Sequence, residues 1–383
     1  MVWLELEHKL PSGERIALYG KEAPVEYLTG SLHELPKLQQ ALNRYAQKSE
    51  AKAYYPQGAA VGFISYEGQF EFGFYPKLEV RCAEDWPFSE DFFYEASNYS
   101  STLERKEYVK KIQKLKQYIE QGDIYQANLT RKIKGKFEGS SRALFSQIKR
   151  YSPAPFSAYM ELPKRTILSA SPELFLRLSG RRITTCPIKG TRPRFRDPVA
   201  DQQSAFELIR SEKELAELIM ITDLERNDLG KICEYGSVEV EELLARRSFA
   251  YVHHLMSVVS GWLRPEISHV EALANCFPGG SITGAPKRRA MEIIQELEGE
   301  PRGLYTGAIG YFGFNGESQF NIAIRTLEIC ENTFSLGIGS GITSDSDPQK
   351  EFEETQQKAL GILQALSWPS LKFSKQGSHG FGL

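Results

Sequence analysis

The chain has little that would tie it to an oxidising compartment, a membrane or a polyanion. Its five cysteines, at 82, 186, 233, 276 and 330, are scattered, odd in number and without a C-x-x-C pair. That argues against a disulfide framework and makes a reducing compartment the expectation. No apolar run approaches the roughly 20 residues of a membrane span. The opening MVWLELEHKL lacks the charged start and long apolar run of a signal peptide, so a cytoplasmic location is expected. The formal net charge is only −2, which leaves no global basic surface for nucleic acid and no polybasic signal for a membrane. Internal repeats and low-complexity blocks are missing. So are G-x-x-x-x-G-K-[ST], H-E-x-x-H and G-x-S-x-G, and with them support for a bound nucleotide, a zinc protease or an α/β-hydrolase.

What is there is material for a large core: 383 residues, 41% hydrophobic and 25% charged, enough for one large domain or two ordinary ones. Residues 1–100 are rich in aromatics and turns, and AAVGFISYEGQFEFGFYP (59–76) reads as strands broken by glycine. STLE at 101–104 has capping-box form, with Ser101 as N-cap and Glu104 three residues on. It predicts a helix with Tyr108, Ile112, Leu115 and Ile119 on one face, ended by Gly122. IYQANLTRKIKGKF alternates like a strand, and 156–188 reads as a four-stranded meander. One long helical stretch is expected at about 201–229, a glycine-rich loop at 279–284, a helix from 286, three further strand runs and a last helix at about 349–366. Residues 369–383 read as a disordered tail. The pattern is α+β with long antiparallel strands and outer helices. A 1–100 subdomain is expected to pack on a main domain spanning 101–368.

Several constellations could carry chemistry. Glu214 and Glu217 sit in SEKELAEL, and Glu351 and Glu354 in KEFEET. Each pair has i, i+3 spacing, so both carboxylates share a helix face. Alone, such a pair is more commonly a solvated face; two of them brought together make an oxygen-rich site that suits Mg²⁺. FPGGSITGAPKRRAMEII (277–294) offers loop amides and a helix start to an anion, or is simply a tight glycine turn. Gly339 and Gly341 in GIGSGIT mark a strand interior that a ligand can approach closely. AIRT places Arg325 at the end of an apolar strand, where it needs a carboxylate from the protein or from a ligand. His253 and His254 alternate in a strand, so one ring is expected to face inward, which alone reads as a hydrogen-bonded core residue. Lys189 lies in TTCPIKGTRPRFRDP, followed by Arg192, Arg194 and Arg196. Nearby cations and burial would favour its neutral, nucleophilic form. On composition alone, an anion-binding lysine in a basic turn is the simpler reading.

Taken in order, DIYQANLTR, SPELF, PIKGTRPR, SEKELAELIMITDLERNDLG, VHHLMS, FPGGSITGAPKRRAMEII, YTGAIGY, IAIRT and EFEET resemble the chorismate-binding enzymes, a family that includes anthranilate, aminodeoxychorismate, isochorismate and salicylate synthases. The likeness is dense over about 105–368 and thin over the first 100 residues. It implies two packed antiparallel sheets with outer helices and a site at one end. It implies Mg²⁺ bound directly by Glu217 and Glu354 and through water by Glu214 and Glu351. Tyr305 and Arg325 match the residues that hold the enolpyruvyl carboxylate of chorismate. Thr283 and the backbone at Gly339 and Gly341 match the rest of the pocket, His254 the histidine near the ring hydroxyl, and Glu173 the general acid. Gln126 stands where the water-adding branches carry lysine and is not basic, so ammonia is the expected nucleophile. Lys189 stands where anthranilate-forming members typically carry alanine. A lysine there resembles the branch that makes 4-amino-4-deoxychorismate, the route to 4-aminobenzoate and folate, in which it attacks C2. Component I of anthranilate synthase and a catalytically silent binding subunit are the alternative expectations. The implied partner is a separate glutamine amidotransferase subunit supplying ammonia, since nothing here resembles one. No fused lyase is expected after 368, and no tryptophan pocket is identifiable in the N-terminal region.

Overall fold

The computed structural model describes residues 1–9, 14–46, 55–88, 92–249 and 252–367; the tail expected at 369–383 lies outside them. Two ten-stranded sheets organise the chain. The first runs in the order Gly284–Ala285, Gln126–Gly139, Thr333–Ile342, Thr326–Cys330, Arg165–Ser171, Phe156–Leu162, Val2–Lys9, Arg15–Gly20 and Glu79–Cys82, with Tyr94–Ser101 also on Gln126–Gly139. The second runs Ile188–Pro193, Val252–Trp262, Arg182–Cys186, Leu174–Ser179, Glu317–Ile322, Ala308–Gly313, Ala59–Ile64, Gln69–Tyr75 and Glu26–Ser31, with Glu239–Ser248 also on Val252–Trp262. The strand pairs are antiparallel throughout, as the α+β reading expects.

Strand alternation shows how the layers stack. Val2, Leu4 and Leu6 face one cluster with Val61, Phe63, Ile309 and Tyr311 of the other sheet. Trp3, between them, faces a second cluster with Phe145 and Ile362 of two outer helices. Ala60 and Ile64 likewise turn outward, towards the helices Leu35–Tyr45 and His269–Cys276. Central strands are therefore apolar on both faces, and the order is helix, sheet, sheet, helix. Removing a large side chain from the inter-sheet cluster would cost about 2–5 kcal/mol. Among the described residues no helix is long and apolar enough to cross a membrane.

Four local expectations change. Ser101 is the last residue of a strand, and its hydroxyl donates to the Leu103 carbonyl while accepting from Arg131; the helix Arg105–Glu120 begins after Glu104 instead. Its face of Tyr108, Ile112 and Leu115 is buried, Ile119 half so, and Gly122 with φ +81° follows its end. The four strands of 156–188 divide between the sheets, two in each, because the chain crosses over at Pro172–Glu173. The stretch at 201–229 is two helices, Pro198–Arg210 and Glu212–Gly230, broken at an extended Ser211. Finally, Arg325 lies between strands with φ +49°, beyond the end of Glu317–Ile322 rather than at it.

Candidate active site

A cavity of about 530 Å³ opens where the end of the first sheet meets the edge of the second, roofed by the helices Glu212–Gly230 and Pro348–Leu366. Its wall includes Glu173, Lys189, Glu214, Glu217, His254, Tyr305, Arg325, Gly339, Gly341 and Glu354. Nearly all the residues singled out by motif therefore converge. Three stand back. Thr283 is buried with its hydroxyl donated to the Gly279 carbonyl at 2.9 Å, so Ser281 and Ile282 present the glycine loop to the cavity. Glu351 is buried behind the wall and accepts from Ser346 at 2.6 Å. Gln126 lies beneath Gly341.

Lys189 is placed by a bulge. Strand Ile188–Pro193 pairs with Val252–Trp262, and its register shifts between Lys189 and Thr191. Gly190 takes up the shift at φ +73°, a conformation that glycine adopts without strain, and a Cβ there would meet Glu214 at 2.7 Å. The amine donates to the Ser281 carbonyl at 3.4 Å and lies 3.9 Å from Glu217. It is also 3.6 Å from where a side chain on Gly341 would begin. Two of the nearby cations expected to favour its neutral form, Arg192 and Arg194, are engaged by carboxylates of their own. Arg192 pairs with Glu214 at 2.9 Å and Arg194 with Asp201 at 2.8 Å. The charged neighbours of Lys189 are carboxylates.

Glu173 sits where the chain passes between sheets, and its backbone is fixed by Ser171 and Ile322. Burial raises its pKa, against the lowering influence of Ser281 and Lys189. A carboxyl whose proton is held more tightly by burial has the character of a general acid. Both histidines prove buried, not one, because the helix Pro198–Arg210 packs over the second face and its Asp201 meets His253. His253 is tied to Ser248 and Asp201. His254 Nδ1 lies 3.0 Å from the Thr191 hydroxyl and 3.3 Å from the Gly190 carbonyl. A carbonyl only accepts, so Nδ1 carries the hydrogen and Nε2 is left as an acceptor. Burial, then Arg325, lowers the ring's pKa to about 4, which keeps it neutral.

Arg325 has no carboxylate partner among the described residues, and burial lowers its pKa. A desolvated, unpaired guanidinium is a ready receptor for an anionic ligand. Tyr305 lies against the strand glycines: a Cβ on Gly337 would strike its ring at 2.1 Å, and one on Gly339 would come within 3.2 Å of its hydroxyl.

Burial raises the pKa of Glu217 against Lys189 and Lys213, and that of Glu214 against Arg192. Burial also opposes the charge on Glu354, but Lys358 at 2.7 Å prevails and holds its pKa low. Among the described residues no three such groups stand close enough to enclose a metal ion as they are. The donor set still fits a hard cation. All the donors are carboxylate oxygens, and Glu214 Oε2 and Glu351 Oε2 are buried without a partner.

Motif reading missed several residues of this site. Lys213 and Lys358, each i, i+4 to a glutamate, were legible as helix pairs. Asn128, whose Oδ1 is buried and unpartnered at the cavity wall, had no signal. Nor had Arg302, which donates to Glu298 and to the carbonyls of Ile282 and Asn128, fastening the glycine loop to the first sheet. Glu225 was equally silent; it accepts from the Gly280 amide at 3.0 Å, so the loop's amide meets a protein carboxylate.

Comparison with known proteins agrees with this geometry. Residues 87–364 match the family described as chorismate binding enzyme. An anthranilate synthase component 1 of Haloarcula marismortui is 42% identical over 312 residues, 79% of this chain and 63% of that protein. The aminodeoxychorismate synthase component 1 of Salmonella typhimurium is 43% identical over 270 residues, 70% of this chain and 60% of that one. The crystal structure of anthranilate synthase component I from Streptococcus pneumoniae superposes with a TM-score of 0.79 at 25% identity, covering 93% of each chain. The matches span between about half and two-thirds of the length of the first curated relatives. With its two packed sheets, its cavity and these matches, the chain belongs to the chorismate-binding enzyme family.

Proposed function

We propose that this chain aminates chorismate at C4, taking chorismate and ammonia to 4-amino-4-deoxychorismate and water, with ammonia supplied by a glutamine amidotransferase partner. The observation that carries the reading is Lys189, a primary amine in the cavity wall beside Gly341 and close to the Ser281 turn that also contacts Glu173. In the first step the amine of Lys189 bonds to C2 as the C4–O bond breaks, and Glu173 protonates the departing hydroxyl, which leaves as water. In the second, ammonia bonds to C4 as the C2–lysine bond breaks, the lysine amine is freed, and the proton shed by the incoming ammonia restores the Glu173 carboxyl. The enolpyruvyl group stays in place, so no carbon is lost. Arg325 and Tyr305 hold the substrate carboxylate, and His254 Nε2 accepts from the ring hydroxyl. Glu217 and Glu354, with Glu214 beside them in the wall and Glu351 behind it, would hold Mg²⁺, which when bound supplies positive charge to the ring carboxylate.

The relatives give one specific reason for a second reading. Proteins named for anthranilate synthesis match as well as those named for aminodeoxychorismate synthesis. Amination at C2 with loss of pyruvate is that alternative. Protein, chorismate, Mg²⁺ and ammonium are incubated and the product is identified by mass. An aminodeoxychorismate mass is expected, and anthranilate with pyruvate would overturn the reading. Lys189→Ala should abolish the C4 product and leave any residual amination at C2. Full activity with the same product would exclude the covalent lysine.

A further inference from the structure

Each of the four glutamates in and behind the cavity wall lies near a cation of this chain. Arg192 lies 2.9 Å from Glu214, Lys189 3.9 Å from Glu217, Lys213 2.9 Å from Glu351 and Lys358 2.7 Å from Glu354. Lys213 differs from the others in what it joins. Its ammonium also lies 3.9 Å from Glu217 Oε1, so a single charge bridges the helix Glu212–Gly230 to the helix Pro348–Leu366. It thus engages one carboxylate from each of the two glutamate pairs. Glu351, at 3% exposure, cannot shed this partner for water, whereas Lys213, at 39%, has a path into solvent. Beside it, the second oxygens of Glu351 and Glu214 are buried without any partner. An ammonium in this position does what a divalent ion would do, but with half the charge and from a tether.

We infer that Lys213 is a built-in counter-ion that holds the two glutamate faces together when no divalent ion is bound and competes with that ion for the same carboxylates. The inference rests on the metal reading proposed above. Lys213 is a positioning residue here, since it touches the carboxylates and not the reacting atoms. Two consequences are opposite in sign, which separates this role from that of an ordinary salt bridge. Removing the ammonium exposes mutually repelling carboxylates, so the metal-free protein loses stability. The same change takes away a repelling charge and a competitor, so the divalent ion binds more tightly, by about tenfold for one unit charge a few ångströms away.

The test uses the full chain, with Mg²⁺ by calorimetry and Mn²⁺ by electron paramagnetic resonance as probes. Lys213→Gln is expected to bind either ion about tenfold more tightly than the unaltered protein. It should melt at a lower temperature without metal, with the gap closing at saturating Mg²⁺. Lys213→Arg, which keeps the charge, should retain the original affinity. Unchanged or weaker binding in a folded Lys213→Gln overturns the inference while leaving the metal site standing, and so does equal tightening in Lys213→Arg. Failure of both the unaltered protein and Lys213→Gln to bind either ion overturns the metal reading itself, and the counter-ion with it. If Lys213→Gln does not fold, Lys213→Met is measured in the same way and judged by the same outcomes.

Discussion

Glu225 carries its charge against the rest of the molecule. Burial, with help from Asp228 and Glu173 and against Lys287 and the Gly280 amide, raises its pKa from an ordinary 4.5 to about 7. The sign of the linkage follows. Below pH 4.5 the carboxyl is protonated whether the chain is folded or not, and no penalty applies. Between about 4.5 and 7 the unfolded chain releases the proton and the folded one keeps it, so stability falls as pH rises, by up to about 3 kcal/mol. Above 7 the penalty is complete. Glu225→Gln keeps an acceptor for Gly280 and removes the charge. In urea unfolding it should gain on the unaltered protein by about that amount between pH 4.5 and 8.5, whereas parallel stability curves would refute the account. His254 gives the converse expectation for activity. Its pKa of about 4 means that a pH–rate profile should show no limb near 6.5, and a histidine-like limb there would contradict its burial. At this scale the sequence was uneven. Lys189, Glu173 and Arg325 were legible because they sit in long motifs. The pairing of Arg192 with Glu214 and Arg194 with Asp201 was not, because it depends on which helix folds back over the strand.

Elements show which glycines shape the site and which hold the sheets together. A Cβ on Gly341 would meet the tip of Gln126 at 2.6 Å and the Lys189 amine at 3.6 Å, both ends of flexible side chains. Gly341→Ala should therefore fold, with a stability change within about 1 kcal/mol, while displacing the lysine and raising KM for chorismate several-fold. A Cβ on Gly62 would stand 1.9 Å from the Glu71 carbonyl, which is backbone and cannot move aside. Gly62→Ala should cost about 3 kcal/mol or more in denaturant unfolding. If the two variants behaved alike, the distinction between side-chain and backbone obstruction would fail. The periodicity that located most elements carries no such information. It found the helix Arg105–Glu120 but read its start from STLE, where the strand Tyr94–Ser101 claims Ser101. It joined two helices that an extended Ser211 separates, because both flanks are strong helix formers and the break is a matter of tertiary fit.

Across the whole molecule, the site is a seam. Gly339 and Gly341 belong to the first sheet, Lys189 and His254 to the second, and Glu173 to the crossing between them. That two sheets exist could be read from strand patterns and from the resemblance to a family. How a four-strand run divides between them could not, since both hairpins carry the same alternation and only partners far along the chain separate them. The first hundred residues enter the same argument. Val2–Lys9 pairs with Phe156–Leu162, and Ala59–Ile64 pairs with Ala308–Gly313, one in each sheet. Without them both sheets would end in long apolar edges, and the inter-sheet cluster would lose Val2, Leu4, Val61 and Phe63. Deleting residues 1–100 should therefore remove cooperative unfolding as well as chorismate turnover, and the remainder should aggregate or bind a hydrophobic dye. A truncated chain that stays monomeric and melts in one sharp transition within a few degrees of the full chain would show that residues 101–368 hold the seam by themselves.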